Sequence, residues 1–174
     1  MQDNIQLRHE DHKPSNRKFP LSIITNDITD PLNVGSLFRL CDALGINKLY
    51  LCGETPAPPN SKINKTSRST EKHIDYEYVA DAEKLVSQLK SADSIIISLE
   101  ITSASTAIDS EEFKKTIKNN KPVYLILGSE NTGVSQSLLS LSDLTIHIPM
   151  FGKNSSMNVI SAASISCYEI IRQL

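Results

Sequence analysis

The chain has 174 residues, 39% hydrophobic and 22% charged, with no tryptophan and a formal net charge of −2. That length makes one domain the default and suffices to bury a sizeable core. No apolar run approaches a membrane span, residues 1–19 hold no apolar stretch of a secretory signal, and the slight acidity counts mildly against a nucleic-acid binder driven by bulk charge. Cys41, Cys52 and Cys167 are far apart, odd in number and without CxxC spacing. No disulfide framework and no metal site are expected, and a reducing cytoplasm is the expected compartment.

Residues 1–18 read as a flexible, polar N-terminal tail ahead of a domain over 19–174. Pro20–Thr25 is a short apolar run and predicts a buried strand. Asp30-Pro31 marks a turn that opens a helix over about Leu32–Leu44, with Val34, Leu37, Phe38, Cys41 and Leu44 as its apolar stripe and Gly45 closing it. Lys48–Cys52 is a second strand, followed by a proline-rich loop. The segment Lys62–Lys72 then sets Lys62, Lys65, Arg68 and Lys72 against Glu71 alone. It reads either as a solvated loop or as a patch for phosphates, and Lys13, Arg17 and Lys18 of the tail pose the same choice.

"DYEYV" predicts a third strand and Ala80–Leu89 a helix. Ser94–Glu100 is a strong central strand, and Asp109–Asn119 a helix with acidic residues in its first turn. Pro122–Gly128 is another nearly continuous apolar strand, Ser135–Leu141 a short helix, Leu144–Met150 the last strand and Ser156 to about Arg172 the last helix. Strands alternating with helices predict an α/β fold, a parallel sheet covered by helices on both faces.

In such sheets ligands sit beyond the carboxyl ends of the strands. Three polar loops fall there: Asn26–Ser36, Gly128–Ser135 and Phe151–Asn158. In the first, Arg39 follows Asn33 and Gly35 and points away from the apolar stripe, as a plain surface arginine also would. In the second, Glu130 sits between Gly128 and Gly133, in a pattern that is neither GxGxxG nor a P-loop. In the third, Ser155, Ser156 and Asn158 exceed what capping one helix requires. The helix behind them carries small residues at Ala162, Ala163, Ser164 and Ser166, which serve core packing or a close backbone approach.

Together the stretches "DPLNVGSLFRLCDALG", "LILGSENTGV" and "IPMFGKNSSMNVISAASISCYE" resemble, in order, the three motifs of the SpoU branch of the SPOUT RNA methyltransferases. The resemblance covers roughly Pro20–Gln173, with Met157 standing where the family usually has leucine. "KTSRSTEK" is similar to the TrmH-type members. The resemblance implies a SPOUT α/β-knot, with a deep trefoil knot toward the C-terminus. It implies methyl transfer from S-adenosylmethionine, without a metal, to a ribose 2′-hydroxyl in tRNA or rRNA. Carried onto this chain, it puts the cofactor on Leu99, Leu127, Gly128, Ile148, Met150 and Met157. Arg39 matches the catalytic arginine, with Asn33, Glu130, Ser156 and Asn158 as the polar residues around it. It also implies a homodimer, here expected to pair through the first and last helices.

Two other readings of the residues compete. A non-catalytic RNA-binding or assembly protein on the same scaffold predicts loss of the arginine or of the polar joint, and both are intact. A flavodoxin-like nucleotide binder predicts a phosphate loop after the first strand, and "TNDITDPLNVG" makes a poor one.

Overall fold

The computed structural model describes residues 4–6, 8, 11 and 13–174. Among them, seven strands form one sheet: β1 (Phe19–Asn26), β2 (Ile46–Cys52), β3 (Tyr76–Val79), β4 (Ile95–Leu99), β5 (Thr106–Ala107), β6 (Val123–Leu127) and β7 (Leu144–His147). The order is β3-β2-β1-β6-β4-β7-β5 and each pairing is parallel. The helices are α1 (Pro31–Leu44), α2 (Ser61–Ser67), α3 (Ala82–Ser91), α4 (Glu111–Ile117), α5 (Gln136–Leu141) and α6 (Val159–Gln173).

Alternation along each strand feeds two cores, because successive side chains leave a strand on opposite faces. Ile23, Leu49, Ile97 and Leu125 point to one face, where Phe38 of α1, Ile63 of α2, Phe113 of α4 and Cys167 of α6 cover them. Ile24, Cys52, Ile96 and Ile126 point to the other, under Val86 of α3 and Leu138 of α5. Burial of strands on both faces explains why they read as continuous apolar runs rather than alternating ones.

Each helix starts on an Asp, Asn or Ser whose side chain accepts from a backbone N–H of the first turn. For α1 that residue is Asp30, with Pro31 in the first helical position, and Gly45 closes the helix in the left-handed region (φ 62°). The deep knot implied by the family resemblance needs a chain that re-enters a sheet already begun. The strand order supplies this: β6 lies between β1 and β4, β7 between β4 and β5, and α6 returns to pack on α1, β1 and β6.

Two local expectations change. The basic segment is not a loop: Asn60 caps α2, and a 3-10 turn over Thr70–Lys72 follows it. Polar residues hid this helix, whose inward face is little more than Ile63 and Ser67. It lies against α1 because position 35 is glycine; a Cβ there would overlap the Thr66 side chain and the Ile63 carbonyl. The last helix begins at Val159 rather than Ser156, because Asn158 is its cap. The short strand β5 was not expected.

The tail falls partly outside the described residues. Its end is held down: Lys18 Nζ donates to Ile46 O (3.1 Å), and the Arg17 guanidinium stands 4.4 Å over the Phe19 ring.

Candidate functional site

Because the strands are parallel, their carboxyl ends share one edge of the sheet. There the ends of β4, β6 and β7 surround a cavity of about 610 Å³, a size typical of small-molecule sites. The three strands are neighbours in space though far apart in sequence. The cavity therefore exists only once β6 and β7 have entered beside β4.

All six residues expected to hold a cofactor line this cavity: Leu99, Leu127, Gly128, Ile148, Met150 and Met157. Glu130, Ser156 and Asn158 line it as well. Asn33 does not, yet its Nδ2 donates to Glu130 Oε1 at 2.5 Å, tying the first turn of α1 to the loop after β6. Arg39 stands apart. It is exposed, is not part of the lining, and makes no hydrogen bond or ion pair among the described residues. Six residues separate it from Asn33, which is about 9 Å of rise and about 120° of rotation. Its side chain thus leaves α1 in a different direction from the Asn33–Glu130 contact.

The loop after β6 forms one wall and is tightly folded. Ser129 and Gly133 exchange both backbone hydrogen bonds, at 3.2 and 2.9 Å. Gly128 is required by that fold, because a Cβ there would overlap the backbone of Gly133 and Val134. Glu100, just after β4, fastens the same loop through its Oε2, which accepts from Val134 N (3.0 Å), while its Oε1 accepts from the neighbouring Ile101 N (2.9 Å).

Sequence reasoning missed Glu100 and His147. Both line the cavity, and His147 Nδ1 lies in a hydrogen bond with Ser105 Oγ at 3.0 Å. A signal for Glu100 was present. It is the first polar residue after an apolar strand, the same position that drew attention to the other loops. Among the described residues no lysine or arginine lines the cavity, while two carboxylates do, so its electrostatics favour a ligand carrying positive charge.

At the mouth of α6, Asn158 Oδ1 accepts from Ile160 N (2.8 Å) and completes the cap. Asn154, Ser155 and Ser156 are exposed and make no side-chain hydrogen bond among the described residues. Their hydrogen-bonding capacity is surplus to the fold. Among the described residues no group of three or more His, Cys, Asp or Glu is placed to hold a metal, and no helix is long and apolar enough to cross a membrane.

The fold and the cavity define a parallel α/β protein with a cavity of small-molecule size at the carboxyl ends of β4, β6 and β7. The family model for the SpoU rRNA Methylase family matches residues 20–168, and the chain belongs to that family. Among relatives, it is 29% identical to the tRNA (guanosine(18)-2′-O)-methyltransferase of Thermus thermophilus, over 90% of this chain and 77% of that one. It is 25% identical to the 23S rRNA (guanosine-2′-O-)-methyltransferase RlmB of Blochmanniella floridana, over 92% of this chain and 61% of that one. The first three curated relatives are longer, and the chain spans 61%, 41% and 59% of them. Among solved structures, the A. aeolicus TrmH/SpoU tRNA modifying enzyme superposes with a TM-score of 0.78 at 25% identity, covering 91% of this chain and 77% of that one. The SpoU methyltransferase AviRb from Streptomyces viridochromogenes, in complex with AdoMet, gives 0.75 at 26% identity, covering 90% and 61%.

Proposed function

We propose that this protein is an S-adenosylmethionine-dependent methyltransferase acting on a ribose 2′-hydroxyl of tRNA or rRNA. The observation that carries this reading is the meeting of three distant polar loops. Residues of the second and third line one cavity, and Asn33 of the first is bonded to Glu130 in its wall.

The residues present fit the cofactor. Leu99, Leu127, Ile148, Met150 and Met157 offer apolar flanks for an adenine, and the bare backbone at Gly128 lets a ring lie close. Glu100 and Glu130, with no cation beside them in the lining, suit a ligand of net positive charge. When bound, the cofactor supplies a methyl group already activated by its sulfonium. The protein's task is then to hold the 2′-oxygen in line with it and to ease loss of the hydroxyl proton. Ser156 and Asn158 are assigned to the ribose, and Glu130 with Asn33 to fixing the wall they face. A guanidinium is a poor base and a good anion anchor. Arg39 is therefore assigned to the adjacent phosphate or the forming alkoxide.

The same reading takes the protein as a cytoplasmic homodimer whose methyltransferase domain is 19–174. Ile165 and Tyr168 of α6 and Leu32 of α1 are exposed apolar side chains on the two helices expected to pair. A two-fold contact there would let Arg39 act at a site its own chain does not line. Exposed Lys62, Lys65, Arg68 and Lys72, on and after α2, are assigned to RNA phosphates together with the tail.

Calorimetric titration with S-adenosylmethionine, set beside FMN and NAD, tests the cofactor. Saturable binding of the first alone is expected, and preference for either of the others overturns the reading. Changing Lys62, Lys65 and Arg68 to alanine is expected to weaken RNA binding and flatten its salt dependence while cofactor affinity holds. An unchanged slope would return these residues to ordinary surface charge.

A further inference from the structure

Phe151 is 98% exposed, the highest value among the exposed large apolar side chains of the described residues. It has no polar atom to justify that position, unlike Tyr78, whose hydroxyl donates to Gly53 O (3.0 Å). The chain around it also stands clear of the fold, since a Cβ at Gly152 would meet nothing within 4 Å. The place is specific. Met150 and Ser156 both line the cavity, so residues 151–155 form a projection on its rim. Lys153, exposed, adds a cation two residues from the ring.

We infer that Phe151 stacks on an unpaired nucleobase of the RNA next to the target ribose, with Lys153 on an adjoining phosphate. The inference rests on the methyltransferase reading and adds a residue that reads the substrate rather than the cofactor. An aromatic face beside a cation is the combination that binds single-stranded nucleic acid, because every base has a π-face and every nucleotide a phosphate. A second copy of this chain is the poorer occupant. The exposed apolar residues of α6, Ile165 and Tyr168, lie on the helix body, about 9 and 13 Å of rise beyond Val159, and a helical face of that kind suits a two-fold contact. A loop tip flanked by Lys153, Asn154 and Ser155 offers polar groups that match a nucleotide.

The test compares wild type with Phe151→Ala, Phe151→Trp and Lys153→Ala. The readouts are affinity for a short mixed-sequence single-stranded RNA, for the same sequence as a duplex and for S-adenosylmethionine, together with sedimentation and melting temperature. Phe151→Ala is expected to weaken single-strand binding about five- to a hundredfold and to leave the duplex, cofactor affinity, oligomeric state and melting temperature unchanged. Phe151→Trp is expected to retain binding. Lys153→Ala is expected to reduce the salt slope by about one phosphate contact. The inference is overturned if single-strand affinity is unchanged in Phe151→Ala, if cofactor affinity falls instead, as a lid over the cavity would require, or if the variant changes the oligomeric state. Failure of the parent reading looks different: wild type would then bind no S-adenosylmethionine, whatever Phe151 does to RNA.

Discussion

The mouths of α1 and α6 open at the same edge of the sheet and begin with similar chemistry, yet they spend it differently. At α1 one residue completes the cap: Asp30 Oδ1 accepts from Leu32 N at 2.9 Å, and Pro31 removes a donor that would otherwise need a partner. At α6 Asn158 does the same work, and the side chains of Asn154, Ser155 and Ser156 make no hydrogen bond among the described residues. The helix bodies are alike, each burying a cysteine, Cys41 and Cys167, in one shared core. The contrast shows how to separate structural from functional polarity. Count what the backbone needs; the remainder is free for water or for a ligand.

The strongest attempt to break that contrast is Gly128→Ala. The added Cβ would overlap backbone rather than a flexible side chain. Destabilisation of about 3 kcal/mol and loss of cofactor binding are expected, measured by denaturant unfolding and calorimetry. Retained affinity would remove the loop after β6 from the site.

The shared body of the two helices gives the next effect. Burial pushes the Cys41 thiol up to about 12, moves Cys167 the same way, and holds Cys52 of β2 at about 12 as well. In the unfolded chain these thiols ionise near pH 8.5. Between there and pH 12 the unfolded state holds fewer protons than the folded one, so stability falls as pH rises. The loss is about 1.4 kcal/mol per thiol per pH unit. The thiols' contribution is complete below about pH 8, and Cys41→Ala should show a smaller drop in unfolding free energy from pH 8 to pH 10 than wild type.

The sharpest version of the comparison pairs Asp30→Ala with Ser156→Ala. Loss of the α1 cap should cost about 1 kcal/mol of stability and leave cofactor affinity alone. Ser156→Ala should leave the melting curve unmoved and reduce affinity for cofactor or RNA about fivefold, the worth of one hydrogen bond. The reverse pattern would mean that the two mouths do not differ in kind.

Much of this is legible in the sequence. Apolar runs such as Pro122–Gly128 announced strands buried on both faces, and six residues named for a cofactor do line one cavity. What stayed hidden depended on three dimensions. The helix α2 has too small an inward face to show a periodicity. Glu100 lines the cavity because β6 and β7 pack beside β4, an adjacency no local pattern encodes. Arg39 was grouped with Asn33 and Glu130 because the family resemblance implied it. Helical geometry separates them, and the dimer is the proposed means of bringing them back together.

The most direct measurement is single-turnover transfer of labelled methyl from S-adenosylmethionine to bulk tRNA and rRNA, followed by nucleoside mass spectrometry. Wild type and Arg39→Ala are run side by side, each with a cofactor titration. A 2′-O-methylnucleoside is expected from wild type. Transfer from Arg39→Ala is expected to be at least about a hundredfold slower, with cofactor affinity and melting temperature unchanged, since Arg39 is exposed and outside the cavity. A methyl group on a base, or wild-type turnover by Arg39→Ala, would contradict it.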